Sequence, residues 1–425
     1  MYKCSCLALS STGKILGPHA IRQGRFMIKQ DTLIRRAGIA YYVSTAFLIA
    51  SKSFPHAVLT VLLLHKGLDL TEIMFVQTAF TIAVFLFEFP SGVISDLYSR
   101  KIVYLTSILA WVAACSVIVF GTGFAMMCVA WALYGIGEAL ASGTVDASLI
   151  NLYKRLSPDP DEEIKTFKRI SNQISMVSMI IGAMLGSALY FTIGYNIYAV
   201  AMALACAAAL PIVLAFPKDE HDAREKKPTI MSQVRDGLSE LRKDRRLTFL
   251  IGMAAVSQIF FQTHFNLWQA YLLLMGVKDK YLFVFYLVFQ VIGIAAYAIH
   301  IDGRLRRLLY LGIPVALIMP LLITSGSRIV SIGAYCISVF IFMFLQYMCD
   351  VLFSIRVSEE RISTLITLNS TTCRIIGFLV LGLNGLLLKQ IKLTTLIVGS
   401  FEIATFLSIL LGLLFMLSFS KKKKE

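Results

Sequence analysis

The chain has 425 residues, of which 57% are hydrophobic and only 15% are charged, and its formal net charge is +15. A mean hydropathy of +0.75 is too apolar for a soluble enzyme of this length. The composition therefore indicates a protein that lies in a lipid bilayer. The sequence contains no paired nucleophile and base, metal-ligand cluster or phosphate-binding loop, so we expect neither an enzyme nor a bound cofactor or metal.

Apolar stretches of about 20 residues recur along the chain, and a helix of that length crosses roughly 30 Å of hydrocarbon. The sequence predicts twelve of them, and therefore an all-α integral membrane protein. They lie at roughly 38–64, 71–95, 102–120, 124–152, 168–192, 195–216, 248–276, 280–301, 308–325, 328–353, 364–388 and 394–419.

The longest polar segment inside the chain, 217–247, divides these spans into six and six. We expect a cytoplasmic N-terminal tail at 1–36, six-helix bundles at 37–216 and 248–419, and a basic cytoplasmic tail at 420–425. The segment between the bundles is a basic linker. Its apolar residues at helical spacing would also suit a short amphipathic helix on anionic lipid.

Lysine and arginine gather in alternate loops, which predicts that both termini are cytoplasmic, because loops rich in these residues stay on the inner side of a membrane. This distribution explains the positive charge by orientation in the membrane and argues against nucleic-acid binding. Residues 1–26 carry no apolar core of signal-peptide length, so no cleaved targeting segment is expected. We expect a multi-pass, monomeric protein of the plasma membrane.

The second predicted span ends in a motif that places Gly92, Asp96 and the pair Arg100 and Lys101 at four-residue steps. The motif resembles the GxxxDxxxRK signature of the major facilitator superfamily, which lies in the cytoplasmic loop after the second helix in that family. The resemblance implies the fold of that family, with twelve transmembrane helices in two pseudo-symmetric six-helix bundles. It also implies that a small solute binds near the middle of the membrane and crosses by alternating access.

Residues four apart share a helix face, so Asp96 and Arg100 are predicted to point to the same side. Asp96 suits the N-terminus of span eleven near Ser363, whose partial positive charge favours a carboxylate. Arg100 suits a second carboxylate, for which we choose Asp146 near the inner end of span four. In the resembling family the signature acts as a conformational latch. The simpler alternative is that Arg100 and Lys101 only determine the topology.

Ionisable side chains inside a membrane are costly, and each is therefore a candidate for function. Glu138 is the first candidate for a proton-coupling site and Glu88 the second, because a buried carboxylate can bind and release a proton near neutral pH. The alternative is a structural ion pair, with Lys52 of span one as a basic partner. Glu138 belongs to a polar stripe at four-residue steps on span four, which comprises Tyr134, Glu138, Ser142 and Asp146.

Two departures from related antiporters weaken the interpretation as a proton relay. Many drug and proton antiporters of the resembling superfamily carry an arginine three residues before a glycine of span four, where this chain has Ala132 before Gly135. Span five contains Gly182 and Gly186 but lacks the expected proline, since Ser187 follows. Close helix packing explains these glycines without antiport.

Polar side chains run along span seven, where lipid would not tolerate them, so they line a cavity or contact a partner helix. Amides together with an aromatic ring can bind polar and flat apolar groups. Arg374 of span eleven is expected to pair with Asp350 of span ten rather than to contact substrate. The candidates for a substrate cavity are Gln258, Gln262, His264, Asn266, Trp268, Gln269, Gln346, Asp350 and Arg374.

The segments 88–92 and 137–144 resemble a set of bacterial facilitator proteins that are often labelled drug or macrolide exporters. This resemblance implies proton-coupled efflux of amphipathic small molecules. The partners would be a small-molecule substrate, a proton or other ion gradient, and the lipid bilayer. The alternatives are a carrier for one endogenous metabolite or sugar, and a non-transporting membrane receptor or scaffold.

Overall fold

The computed structural model describes residues 18–97, 99–142, 144–217, 245–299, 305–356 and 362–421, and every regular element in these ranges is a helix. Short 3-10 helices cover His56–Val58, Gly194–Asn196 and Asp279–Tyr281. The α-helices are α1 (Pro18–Ser53), α2 (Leu59–His65), α3 (Leu70–Leu97), α4 (Arg100–Phe120), α5 (Gly123–Ala141), α6 (Val145–Leu156), α7 (Pro160–Ile193), α8 (Ile197–Ala215), α9 (Arg245–Leu274), α10 (Leu282–Tyr297), α11 (Leu305–Leu322), α12 (Arg328–Arg356), α13 (Ile362–Leu387) and α14 (Leu393–Lys421).

These helices form the twelve predicted membrane spans, because two spans are each built from two helices. Span one consists of α1 and α2, and span four consists of α5 and α6. Ten stretches of the described residues are long and apolar enough to cross a bilayer, and one of them, Glu162–Ala215, runs through α7 and α8. The helix α11, which forms the ninth span, is not among these stretches. The predicted all-α membrane architecture is confirmed. The amphipathic helix considered for the linker lies outside the described residues.

Each half of the chain forms its own bundle. In the N-terminal half, α1 packs against α7 and α8, and α5 packs against α3 and α4. In the C-terminal half, α9 packs against α12, α13 and α14, while α10 and α11 pack against α12. The first and last spans extend to the termini from one end of the molecule, which we call the proximal end. We call the opposite end the distal end. The distal loops are 66–69, 121–122, 194–196, 275–281, 323–327 and 388–392.

Span one is broken between Ser53 and Leu59. Pro55 has no N–H group, so it cannot form the helical hydrogen bond to the carbonyl of Ser51. Val58 has a φ of −128° and a ψ of 11°, whereas Leu59 returns to helical angles at −57° and −48°. The break leaves backbone groups in the N-terminal half that need partners from outside the span.

Span four is also broken, although the sequence predicts one helix over 124–152. The helix α5 ends at Ala141, and α6 starts four residues later. Thr144 is not helical, with a φ of −98° and a ψ of −92°, and its Oγ1 donates to the Ala141 carbonyl at 2.7 Å. Hydroxyl side chains offer the backbone such alternatives to helical bonds. Glu138 and Asp146 therefore lie on different helices, which corrects the prediction of one continuous polar stripe.

Spans one and five approach each other at two glycines. A Cβ atom at Gly182 would lie 2.6 Å from the carbonyl oxygen of Ala50, and one at Gly186 would overlap the carbonyl of Phe54. Backbone contact of this kind requires a residue without a side chain, and small residues four apart let membrane helices pack closely. The packing interpretation of these glycines is confirmed, with span one as the partner.

We predict that Gly186→Ala lowers the melting temperature of the purified protein by several degrees, because the added methyl group forces α7 away from span one at a cost of about 1–3 kcal/mol. Gly399→Ala on α14 is the matched control, since nothing lies within 4 Å of a Cβ atom there. Thermal unfolding in detergent, followed by intrinsic fluorescence, compares the two. Equal melting temperatures for both variants would contradict the close contact.

Candidate functional site

An ion pair joins the two halves between α3 and α13. Arg374 Nη2 donates to Glu88 Oε1 at 3.1 Å, and Arg374 Nε lies 2.9 Å from Glu88 Oε2. The pair therefore combines charge attraction with one charge-assisted hydrogen bond. The arginine and glutamate side chains are 33% and 37% exposed. Both therefore border the space between the halves.

Amide side chains of α9 lie beside this ion pair. Gln262 Nε2 donates to Gln258 Oε1 at 3.2 Å, and Asn266 Nδ2 donates to the Gln262 carbonyl at 2.8 Å. A Cβ atom at Gly377, three residues after Arg374 on α13, would lie 3.1 Å from Gln262 Nε2. The three amide residues are half-buried. This amide stripe, formed by the three residues, thus meets α13 one turn from Arg374. We call the stripe and the ion pair together the polar region.

The helices α3 and α13 meet along a seam that leads from the distal end to this region. Near the distal end, a Cβ atom at Gly385 would lie 3.2 Å from Cβ of Met74. Farther along, the rings of Phe85 and Phe378 have centroids 6.1 Å apart. The ion pair follows one turn beyond these rings. The seam therefore places aromatic surface next to the polar region.

A second ion pair lies inside the N-terminal half. Lys52, in the last turn of α1, pairs with Glu138 of α5, and Lys52 Nζ lies 6.0 Å from the ring centroid of Tyr134. The two charged side chains are 15% and 33% exposed. Glu138 therefore has the basic partner that the sequence named for the structural alternative.

Gln269 joins the halves at the distal end. Thr60 N–H donates to Gln269 Oε1 at 2.8 Å, and Gln269 Nε2 donates to the His56 carbonyl at 2.7 Å. His56 and Thr60 belong to the broken part of span one, so a side chain of the C-terminal half bonds to the backbone of the N-terminal half. Gln269 is only 2% exposed. It therefore belongs to a closed junction and does not border an open cavity.

Two other candidates for the cavity lie in the core of the C-terminal half. His264 is 1% exposed, and its Nδ1 lies 3.0 Å from the Tyr335 hydroxyl. Trp268 is 5% exposed and packs edge-on against Phe289, with ring centroids 5.3 Å apart. Both project from the face of α9 that α10 and α12 cover. This packing corrects the expectation that they line a cavity.

Comparison with known proteins assigns the family. Residues 41–381 match the family described as Major Facilitator Superfamily. The chain belongs to the major facilitator superfamily. It is therefore a membrane transporter and not an enzyme. No curated protein sequence matches the chain significantly.

Two solved structures share the fold of the chain. A crystal structure of nucleoside transporter NupG has a TM-score of 0.65 and 13% sequence identity, and the match covers 91% of this chain and 99% of that chain. A structure of a single-residue mutant of NupG has a TM-score of 0.64 and 13% identity, with coverage of 92% and 99%. At this identity the likeness shows the fold alone.

The structure describes only part of the superfamily signature. Gly92 and Asp96 belong to α3, but the surroundings of Gly92, the side chain of Asp96 and those at the start of α13, where Asp96 is expected to dock, lie outside what the structure describes. Lys101 Nζ donates to the carbonyls of Val213 and Phe216 at 3.0 and 2.9 Å, at the proximal end of α8. These bonds cap a helix within the same half, whereas the contact predicted between Asp96 and span eleven joins the two halves.

The structure also places the remaining candidates for the latch and for the cavity of this transporter. Arg100 begins α4 and Asp146 lies in the first turn of α6, and the contact between them stays a prediction. On α12, Gln346 Nε2 donates to Asp350 Oδ1 at 3.0 Å. Arg374 is expected to pair with Asp350, but the structure gives it a carboxylate of α3 in the other half.

Lys66 is a structural residue of the transporter that the sequence analysis missed. Its Nζ donates to the carbonyls of Val119 and Gly121 at 3.2 and 3.0 Å and lies 4.7 Å from the ring centroid of Tyr195. It thereby caps the distal end of α4, and partial burial lowers the pKa of its amino group. A lysine directly after an apolar span was the available signal, but it also fits a simple topology marker.

Glu402 of α14 is a further carboxylate within a span that the sequence analysis missed. Its Oε1 atom is buried and has no hydrogen-bond partner among the described residues. The signal was a single acidic residue in the otherwise uncharged stretch 394–419. In the part of the chain that the structure describes, no group of three or more His, Cys, Asp or Glu side chains could hold a metal ion.

We predict that Glu138→Leu and Lys52→Met each destabilise the protein by about 1–3 kcal/mol, because each leaves one charge unpaired in largely apolar surroundings. The double variant should recover most of this loss, since it removes both charges. Melting temperatures of the wild type and the three variants measure the effect. A double variant that loses as much as the two single variants together would show that the side chains do not act as a pair.

Proposed function

We propose that this transporter carries a small, polar, uncharged solute by alternating access. The observation that best supports the proposal is the amide stripe beside the Glu88–Arg374 pair, at the junction of the two halves. Amide groups both donate and accept hydrogen bonds. A solute bound at this junction would contact both halves, as alternating access requires.

The charges at the polar region and within the N-terminal half favour a neutral solute. Each of the two ion pairs contains one basic side chain and one carboxylate. An ionic solute would have to separate such a pair to find a partner, and separating charges in partly buried surroundings is costly. A neutral solute can bond to the amides of α9 and leave both pairs intact.

A nucleoside is the first solute class to test. The two similar solved structures are described as a nucleoside transporter. A nucleoside combines a flat base, which bears hydrogen-bonding groups, with sugar hydroxyls. Phe85 and Phe378 supply aromatic surface beside the amide stripe. Sites for such solutes typically combine apolar surface with a few placed polar groups.

The contacts between the halves suggest how the solute site is exposed. In the proposed cycle, the seam of α3 and α13 is the line about which the halves turn. The Gln269 contact closes the distal end, so the solute would leave or enter from the proximal end in this state. With the orientation predicted from the loop charges, the proximal end faces the cytoplasm.

Proton-coupled efflux of amphipathic molecules has less support from the site. Both proton candidates, Glu88 and Glu138, hold a basic partner, and the described stripe is rich in amides. A carrier for a specific metabolite, which the sequence analysis kept as an alternative, fits these contacts better. Proton coupling enters the proposal at one point, because a proton on Glu138 would release Lys52 and remove the ion pair that joins α1 to α5.

We predict that proteoliposomes containing the protein take up radiolabelled nucleosides, and that Gln262→Leu lowers kcat/KM about tenfold. The leucine removes hydrogen bonds to the solute, and about 1.4 kcal/mol of lost transition-state stabilisation corresponds to that factor. Gln390→Leu is the matched control, because Gln390 is exposed in a distal loop. Transport of amphipathic cations that excludes polar solutes and is unaffected by Gln262→Leu would overturn the proposal.

We also predict that any stimulation of uptake by a pH gradient disappears in Glu138→Gln, because the amide cannot exchange a proton. Exchange of labelled for unlabelled solute without a gradient should continue in this variant. Both are measured in the same proteoliposomes. Stimulation of normal size in Glu138→Gln would remove this residue from ion coupling.

A further inference from the structure

Gln269 stands in the place of one backbone hydrogen bond of span one. In an unbroken α-helix, Thr60 N–H would donate to the carbonyl of His56, four residues earlier. In this structure one amide lies between the two groups. Thr60 N–H donates to Gln269 Oε1 at 2.8 Å, and Gln269 Nε2 donates to the His56 carbonyl at 2.7 Å. The side chain thus satisfies both groups that the break has separated.

Val58 contributes the part of the break that separates Thr60 from His56. Pro55 and Leu59, on either side, have backbone angles in the right-handed helical region, and His56–Val58 already forms a 3-10 turn. The φ and ψ of Val58 are −128° and 11°, and rotations of roughly 65° and 50° would bring them to the usual helical values. A local change at Val58 would therefore restore the helical bond between Thr60 and His56, although Pro55 still provides no N–H group for the carbonyl of Ser51.

The buried groups at the break need a partner in every conformation. Thr60 is 5% exposed, and it lies in the first turn of α2, where backbone N–H groups have no acceptor within the helix. Val58, the residue before α2, provides no side-chain cap. If Gln269 withdrew and nothing replaced it, a donor and an acceptor would be left unpaired in the membrane, which is strongly unfavourable.

We infer that Gln269 is a gating residue that holds the distal end closed through an exchange of hydrogen bonds. When the halves separate at this end, Gln269 leaves the break, and Thr60 N–H donates directly to the His56 carbonyl. Span one straightens at Val58, and its backbone groups stay paired in both conformations. The inference depends on the alternating access of the proposed function but not on the class of solute.

Distances between the halves test the gate without any solute. Spin labels are attached at Thr122→Cys in the N-terminal half and Lys278→Cys in the C-terminal half, both exposed at the distal end. The eight native cysteines are replaced by alanine in this background. Gln269→Leu keeps the approximate size of the side chain and removes its amide. Pulsed electron resonance in lipid nanodiscs then gives the populations of short and long distances.

We expect the ratio of long to short distances to rise about tenfold in Gln269→Leu, because two buried hydrogen bonds between the halves are lost. Gln390→Leu, the matched control in an exposed distal loop, should leave the ratio unchanged. If Gln269→Leu does not fold, Gln269→Glu replaces it. The carboxylate can accept from Thr60 N–H but cannot donate to the His56 carbonyl, and its second oxygen is repelled by that carbonyl, so a rise is expected here too. An unchanged ratio in the folded variant overturns the gate.

Amide hydrogen exchange tests whether Thr60 N–H donates to the His56 carbonyl when Gln269 no longer bonds to either group. In Gln269→Leu, the amide of Thr60 should exchange as slowly as in the wild type, because it then donates to His56. Mass spectrometry of peptides from the segment 54–64 measures the rate. Exchange faster by about tenfold or more would show that the break persists unpaired, and would overturn the hydrogen-bond exchange. Neither measurement uses a solute, so a failure of nucleoside uptake would count against the proposed function alone.

Discussion

Hydrocarbon offers no hydrogen bonds to a peptide group, so every backbone N–H and C=O group inside the bilayer needs a partner within the protein. The helices of this transporter satisfy most of these groups themselves, and side chains serve some of the places where a helix ends or breaks. Lys66 and Lys101 donate to the last carbonyls of α4 and α8. Gln269 serves the break in span one. Three polar side chains in this apolar chain are thus accounted for by backbone chemistry.

The need for a partner at every backbone group also distinguishes hydrogen bonds that persist during transport from those that must be exchanged. Lys66 and Lys101 cap helices of their own half, so these bonds can persist while the halves move. Gln269 and Arg374 reach from the C-terminal half to the N-terminal half, and a contact at an end that opens must have a substitute. The break in span one provides a backbone substitute for Gln269. Arg374 and Glu88 are each about one-third exposed, so water can replace part of their pairing.

Hydropathy was sufficient to predict twelve spans, because a bilayer demands long apolar helices whatever their detailed sequence. Periodicity also identified the glycine contact of span five and the amides of span seven, which are local patterns. The breaks at Val58 and Thr144 escaped prediction, because hydropathy does not record backbone angles. Pro55 in span one and the polar run from Ser142 to Thr144 in span four were the available signals. The pairing of Arg374 with Glu88 was not predicted for another reason. The choice between Asp350 and Glu88 depends on how two separate bundles meet, and no local pattern contains that information.

The helix α9 shows what the spacing of polar residues predicts and what only the packing of the helix decides. Spacing places the amides from Gln258 to Gln269 along one side, but only packing decides that the first are half-buried beside the seam and the last is enclosed at the distal end. Because α9 is unbroken from Arg245 to Leu274, Gln262 and Gln269 move as parts of one rod, about 10 Å apart along its axis. A solute that draws Gln262 toward the seam therefore also displaces Gln269. In the proposed cycle, the rigidity of one helix is sufficient to connect solute binding with the gate.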